Sequence, residues 1–325
     1  MIANLLLATR NGLVACRREG REWRETGRSL PGKDITGVIA REGTLLAAAT
    51  DGIYRSDDAG QSWRDASQGL SDRHVRALFR HPDVPDLVFA GTEPAGIYIS
   101  RDGGETWSSR PEVEGLRRER RWSLPYSPEA GCVRGFAFLG TRGYAAVEVG
   151  GVLRSDDSGE TWRLVQGSDR NPEAEGLPEQ PVFPDVHSVA VHPWSRDVAF
   201  ASTGSGFRRS TDGGTEWTRV YDCYCRAAWV NPVDPQNILL GPAGGVDRDG
   251  RIEVTNDGGQ TWVPAAEGLG APWSQAMVER FIQAGDDLLA VLSNGQLLAA
   301  SISGWVWERI APGVTDITAA CALPM

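Results

Sequence analysis

The chain has 325 residues, with 33 lysines and arginines against 43 aspartates and glutamates, and its formal net charge is -10 at pH 7. This balance argues against nucleic acid as a partner, because phosphate binding requires a basic face. The length usually predicts about two domains, although a ring of repeats can exceed that limit because each repeat adds core against its neighbours.

The N-terminal segment, MIANLLLATRNG, has an apolar run that is too short for a signal-peptide core or a transmembrane helix. No small-residue cleavage site follows it. The sequence therefore predicts a cytoplasmic location and no membrane partner. The cysteines are odd in number and lack a repeated spacing, which argues against a disulfide framework. They are Cys16, Cys132, Cys223, Cys225 and Cys321.

Five segments share the pattern Ser/Thr-x-Asp-x-Gly-x-x-Trp. In chain order they are SDDAGQSW (56–63), SRDGGETW (100–107), SDDSGETW (155–162), STDGGTEW (210–217) and TNDGGQTW (255–262). A short strand precedes each segment and a Trp-centred strand follows it, so each predicts a hairpin turn. The Asp is expected to accept backbone N–H groups of its own turn, the Gly to adopt a positive φ, and the Trp to pack against the next repeat. The Asp residues with this structural role are Asp58, Asp102, Asp157, Asp212 and Asp257.

The pattern resembles the Asp-box, or bacterial neuraminidase (BNR), repeat of sialidases, sortilin-type receptors and photosystem II assembly factors of the Ycf48 type. This resemblance implies an all-β fold, a β-propeller of four-stranded blades. A calcium-loop interpretation fails, because the spaced extra carboxylates and the closing Glu of such loops are missing.

The number of blades follows from the spacing of the Trp residues that end the five segments. They lie 44, 55, 55 and 45 residues apart. Steps of similar length lead forward to Trp307 and back to Trp23, in segments that are typical of outer strands whose Asp boxes have decayed. The spacing therefore predicts seven blades.

Seven segments align as inner strands through a small third residue, which suits strands crowded round an axis; Arg280 is the exception. They are 35–40, 75–80, 133–138, 186–191, 225–230, 278–283 and 317–322. The last has no outer strands after it, and the N-terminus has no inner strand before its outer ones. We therefore expect the two ends to share one blade, which removes exposed sheet edges. The predicted fold is a single all-β domain, a seven-bladed propeller, with blades at approximately 1–26 plus 315–325, 34–66, 74–110, 132–166, 186–221, 225–265 and 277–310.

The strand order of a propeller places the Asp boxes on one face, called the bottom, and the loops that lead into the inner strands on the other, the top. Three top loops are long, at about 108–131, 163–185 and 241–250. Long loops on a rigid scaffold often bind ligands. The first contains GLRRERRW and is interpreted either as a binding loop around Trp122 or as a solvated charged loop.

The second residue of each inner strand is predicted to face the central channel. Round the ring these residues are Thr36, Arg76, Arg134, His187, Arg226, Glu279 and Thr318. Three arginines and a histidine could form a cage for an anion, with His74 nearby and Glu279 as the single ring carboxylate. The alternative is that ion pairs plug the channel.

Further side chains near this ring could act in catalysis or metal binding. The candidate catalytic residues are Tyr224, Glu279 and His187, with Asp185 close by. No metal and no cofactor is predicted, although Cys223 and Cys225 of YDCYCRA could hold a soft metal together with His74 or His187. Gly-rich phosphate loops and the HExxH and GxSxG motifs are absent.

Three functions remain open. The first is a cytosolic propeller that binds an anionic small molecule or an acidic carbohydrate at the top of the channel. The second is a sialidase-like hydrolase or a lyase acting on an acidic sugar. Against it, the sialidase Phe/Tyr-Arg-Ile-Pro motif is absent and sialidase propellers have six blades. The third, implied by the Ycf48 resemblance, is a scaffold or assembly factor that binds another protein.

Overall fold

The computed structural model describes residues 4–20, 22–124, 130–165 and 184–323. These residues form seven four-stranded antiparallel sheets, and the first strand of each contacts the first strands of its two neighbours, which closes a ring. The strands are β1 (Asn4–Thr9), β2 (Gly12–Glu19), β3 (Glu22–Ser29), β4 (Ile35–Arg41), β5 (Thr44–Ala49), β6 (Gly52–Ser56), β7 (Arg64–Asp65), β8 (Val75–Arg80), β9 (Val88–Thr92), β10 (Ile97–Ser100), β11 (Ser108–Ser109), β12 (Cys132–Leu139), β13 (Arg142–Glu148), β14 (Gly151–Ser155), β15 (Arg163–Leu164), β16 (Val186–His192), β17 (Ser195–Thr203), β18 (Gly206–Ser210), β19 (Thr218–Tyr221), β20 (Tyr224–Val230), β21 (Ile238–Ala243), β22 (Glu253–Thr255), β23 (Val263–Pro264), β24 (Val278–Ala284), β25 (Asp287–Leu292), β26 (Leu297–Ser301), β27 (Gly304–Ile310) and β28 (Ile317–Leu323).

The seven-bladed propeller closed by the chain ends is confirmed. Blade 1 has the strand order β28-β1-β2-β3, and blades 2 to 7 follow as consecutive groups of four from β4 to β27. In blade 1, β28 pairs with β1 from Asn4 opposite Leu323 to Thr9 opposite Ile317. The C-terminal strand is thus held by backbone hydrogen bonds to the N-terminal one, and the ring has no free inner edge at its seam.

The hydrophobic core is divided among the interfaces between blades. Eight clusters of buried residues are found in the described ranges, and seven of them are each shared by two neighbouring blades. Each Asp-box Trp belongs to one of them. Trp107 of blade 3 packs on blade 2 and donates its indole N–H to Ala66 O at 2.9 Å, and Trp217 of blade 5 packs on blade 4. The expectation that Trp packs against the next blade was wrong in direction, since it packs against the preceding one.

Each Asp box is a closed hydrogen-bonded turn between the third and fourth strands. In blade 2, Ser56 Oγ accepts the N–H of Gly60 at 2.8 Å and donates to Asp58 Oδ1 at 2.8 Å. Asp58 accepts the N–H and the hydroxyl of Ser62, at 2.9 and 2.6 Å. Gly60 adopts a φ of 92°, which a residue with a side chain resists. The equivalent carboxylates, Asp102, Asp157, Asp212 and Asp257, accept the matching backbone N–H.

One element, helix α1 (Pro111–Glu119), was not predicted. It lies in the top loop at 108–131 that was expected to be irregular. Pro111 begins it, acidic residues occupy its first turn and basic residues its last, as the helix dipole favours, and Val113 is fully buried. The charged stretch is therefore the exposed side of a docked helix. No helix in the described ranges is long and apolar enough to cross a membrane.

Candidate functional site

A β-bulge marks the channel-facing position in every blade. Near the start of each inner strand the pairing skips one residue, or two in blade 6 (Arg226 and Ala227), so that the skipped residue has no partner in the second strand. A bulge bends the strand and re-aims the unpaired side chain. The skipped positions include the seven aligned ring residues Thr36, Arg76, Arg134, His187, Arg226, Glu279 and Thr318.

The top of the channel is an open cavity of about 630 Å³. Six of the seven ring residues line it, and so do His74 and Arg280. His187 does not line the cavity, since it lies behind the ring wall with 1% of its side chain exposed. The ring deduced from strand alignment thus encloses a space large enough for a small organic ligand.

Ion pairs cross the channel between blades 4, 6 and 7. Glu279 Oε2 lies 3.4 Å from Arg134 Nη2, and its Oε1 lies 2.5 Å from Arg226 Nη1. Arg134 Nη1 also contacts Glu148 Oε2 at 2.7 Å. Burial acts to raise the pKa of Glu148, but the charge of Arg134 outweighs it and lowers that pKa to about 2. Burial is likewise outweighed at Glu279, whose pKa is lowered by Arg134 and Arg226. Both carboxylates are therefore ionised at neutral pH.

The other side of the channel, formed by blades 1 to 3, has fewer ion pairs. Arg76 Nε lies 3.6 Å from Glu93 Oε2, a loose contact, and neither that oxygen nor the buried His74 Nε2 has a hydrogen-bond partner among the described residues. Thr318 Oγ1 donates to Ile35 O at 2.5 Å, in blade 2. Thr36 Oγ1 donates to Val75 O at 2.5 Å, in blade 3. Neutral hydrogen bonds thus join these inner strands.

Arg280 is a site residue that the sequence analysis did not assign. It lines the cavity beside Glu279, and its guanidinium makes no hydrogen bond or ion pair to any residue that the structure describes. Burial, together with the positive charges of Arg134 and Arg76, lowers its pKa to about 10. The signal was present in the sequence, because Arg280 is the large residue that interrupts an otherwise small third position of the inner strands.

Glu279, the single carboxylate of the ring, is not the only carboxylate that faces these cations. Glu148 ends the second strand of blade 4, Glu93 follows the second strand of blade 3, and Asp185 precedes the inner strand of blade 5. Their carboxylates face Arg134, Arg76 and His187 respectively. These positions lie at the same level as the ring because a second strand ends at the top beside the start of its inner strand. The hairpin register, read one strand further out, would have identified Glu93 and Glu148, whereas Asp185 was already named beside the candidate catalytic residues.

The three candidate catalytic residues lie close to one another. The rings of His187 and Tyr224 are 5.3 Å apart between centroids, and Tyr224 Oη accepts from Arg226 Nε at 3.0 Å. Arg226 in turn contacts Glu279. Burial raises the pKa of Tyr224. The phenol is therefore protonated at neutral pH and placed beside a guanidinium.

The remaining predicted residues lie away from the cavity. Trp122 is 2% exposed and packs in the core between blades 3 and 4, beneath α1. Cys225 is buried and Cys223 is half-buried, on the side of blade 6 that packs against blade 5. Most of the predicted top loop at 163–185 lies outside the described residues.

The Asp-box repeat is also the feature that this chain shares with a known protein family. A family model described as the BNR/Asp-box repeat matches residues 98–109. The third blade contains that segment as β10, a complete Asp-box turn and Trp107. The chain is a seven-bladed β-propeller that carries Asp-box repeats.

The chain matches small parts of two larger proteins and most of a third. It is 40% identical over 63 residues, 19% of the chain, to the vacuolar protein sorting/targeting protein 10 of Schizosaccharomyces japonicus, and that match spans 4% of the sorting protein. A solved structure of an ancestral GH74 enzyme superposes with a TM-score of 0.62 at 18% identity, over 84% of this chain and 38% of that one. YCF48 bound to D1 peptide superposes with a TM-score of 0.61 at 14% identity, over 93% and 90%. At these identities the solved structures show the fold alone.

Proposed function

We propose that this propeller binds a small anion, a carboxylate, a phosphate or an acidic sugar, at the top of its central channel. The observation that carries the proposal is Arg280, a cavity-lining guanidinium without a partner among the described residues. A half-buried cation without a direct ion pair is unfavourable, and an anion that binds it gains charge-assisted hydrogen bonds. The loosely held Arg76 and the unpartnered His74 Nε2 lie on the same cavity wall and can add to the contact.

The test compares melting temperatures at low salt with matched charged and neutral compounds. We expect phosphate, succinate and glucuronate to raise the melting temperature by mass action, and succinamide and glucose to leave it unchanged. Raised salt should reduce the shift, because screening weakens partly exposed charge contacts. Arg280→Gln should remove most of it. Arg24→Gln, at an exposed position on β3, is the matched control and should retain it.

Two results would contradict the proposal. One is unchanged melting of the wild type across the whole panel. The other is a shift of equal size in Arg280→Gln, which would move the anion to another part of the surface. In the first case the arginines of blades 4 to 7 act as a plug, as their contacts with Glu148 and Glu279 already allow.

A second candidate is an enzyme acting on an acidic sugar, favoured by the adjacent Tyr224, His187 and Asp185. A protonated phenol next to a guanidinium can serve as a general acid. Incubation with sialosides and uronic-acid oligosaccharides, followed by detection of free sugar or an unsaturated product, tests it. Turnover that disappears in Tyr224→Phe supports catalysis, and its absence with every substrate while anions still bind supports the binding function.

A further inference from the structure

Three side chains at the top of blades 4 and 5 converge on one point at the channel wall. They are Glu148 at the end of β13, Asp185 just before β16, and His187 at the bulge of β16. One ligand atom from each, two carboxylate oxygens and an imidazole nitrogen, lies within 4.8 Å of the other two. Ligands of a tetrahedral zinc ion are roughly 3.3–3.8 Å apart, so rotations of the side chains would suffice to enclose an ion.

The environment of His187 independently indicates that a ligand binds between these three side chains. Its side chain is 1% exposed, and both ring nitrogens lack a hydrogen-bond partner within the described ranges. Asp185 Oδ1 is also buried and unpartnered, although Asp185 Oδ2 lies 3.3 Å from His187 Nε2. Buried polar groups in native proteins nearly always have a partner. The side chain of His187 is buried this deeply and points toward two carboxylates, so its ring nitrogens require a binding partner.

We propose that Glu148, Asp185 and His187 bind a divalent transition-metal ion of the zinc type. Imidazole with carboxylates suits such ions, whereas calcium and magnesium prefer oxygen ligands alone. Cys132 is fully buried and its Sγ lies 3.2 Å from Glu148 Oε2, outside the group of atoms that are all within 4.8 Å of one another, so it can complete a tetrahedral set only after a side-chain rotation. The site does not depend on anion binding in the channel.

The positive charges of the neighbouring arginines do not prevent the binding of a metal ion. The two positive charges of the ion are matched by Glu148 and Asp185. Arg134 and Arg226 are then matched by Glu279 and by the thiolate that Cys132 forms when the ion displaces its proton to solvent. Arg134 contacts Glu148 through Oε2, which leaves the other carboxylate oxygen for the ion.

The experiment uses the full chain, stripped with a chelator and titrated with zinc chloride in buffer without organic anions. We expect one ion per chain by calorimetry, a higher melting temperature, and at least a hundredfold weaker binding in His187→Ala and Asp185→Asn. His192→Ala, a half-buried histidine at the bottom end of β16, is the matched control and should bind as the wild type does. Circular dichroism and melting of each metal-free variant establish that it is folded.

Cobalt(II) gives a readout that a merely structural role would not produce. The cobalt-loaded wild type should show visible d–d absorption, and a thiolate-to-cobalt band that disappears in Cys132→Ser. Absence of stoichiometric zinc binding in the wild type would overturn the proposal. So would binding that persists in His187→Ala, or that is lost instead in Cys223→Ser, which would place the ion at the CxC sequence of blade 6.

Discussion

Glu279 is the carboxylate on which two arginines from different blades converge. Its charge holds Arg134 and Arg226 across the channel and leaves Arg280, its neighbour in the chain, without a partner among the described residues. The same carboxylate therefore stabilises the ring and limits the positive charge offered to a ligand. The anion that we propose would compete with it for the guanidinium groups.

Replacing Glu279 with Gln should separate these two effects. We expect the free energy of unfolding to fall by about 1–3 kcal/mol, because Arg226 loses its carboxylate partner and Arg134 keeps only Glu148. Affinity for phosphate should rise severalfold, because the same groups become available. Chemical denaturation and calorimetry measure the two quantities. A fall in both stability and phosphate affinity would show that Glu279 supports the anion site.

The candidate site could be predicted from the sequence only in part. Strand alignment placed Arg76, Arg134 and Arg226 at one level because the alternation of strand residues is regular. It could not show that the inner strands bulge at that level, which is why Arg280 faces the cavity together with Glu279. The partners Glu93 and Glu148 come from second strands, whose ends the repeat pattern does not mark.

At the scale of elements, the Asp-box turn is the unit that the sequence encodes most completely. Ser, Asp, Gly and Trp each supply at least one contact of the turn, so five copies were recognisable without a structure. Helix α1 was missed because a single amphipathic stretch of nine residues in a charged loop has no repeat to support it.

Asp102→Ala tests the turn alone. The change removes an acceptor for two backbone N–H groups and two hydroxyls, and we expect the free energy of unfolding to fall by about 1–3 kcal/mol. Anion binding should be unchanged, because the turn lies on the opposite face from the cavity. Asp83→Ala, in the β8–β9 loop, is a control at the same face. Lost binding with unchanged melting would contradict the structural role.

The lowered aspartate pKa values in these turns predict that the folded protein loses stability in acid. Hydrogen bonds from Ser62 and Ser56 lower the pKa of Asp58 from 3.8 to about 2. Burial opposes the shift at Asp102, but hydrogen bonds from Ser100 and Thr106 lower that pKa to about 2 as well. The folded values lie below the unfolded ones, so the stabilisation is complete above about pH 4 and is lost as the pH falls toward 2. The gap in melting temperature between wild type and Asp102→Asn should therefore narrow over this interval.

At the scale of the whole molecule, the ring closes by pairing the two ends of the chain. Removal of residues 1–9 deletes β1, which leaves β28 without its hydrogen-bonded neighbour. We expect the truncated chain to melt in one broad transition at a much lower temperature, because the cores on both sides of blade 1 lose residues. Removal of residues 1–3, which precede β1, is the control. A truncation of 1–9 that melts like the full chain would refute closure through the ends.

The inner strands are joined differently along two arcs of the ring. Threonine hydroxyls bonded to neighbouring carbonyls link blades 1 to 3, whereas arginine–glutamate contacts link blades 4, 6 and 7. Dissolved salt weakens contacts between charges and has little effect on neutral hydrogen bonds. Amide hydrogens at the starts of β12, β20 and β24 should therefore exchange faster with deuterium in concentrated salt, while those of β4 and β8 keep their rates. High ionic strength would then loosen the inner strands of blades 4, 6 and 7 and leave those of blades 1 to 3 unchanged.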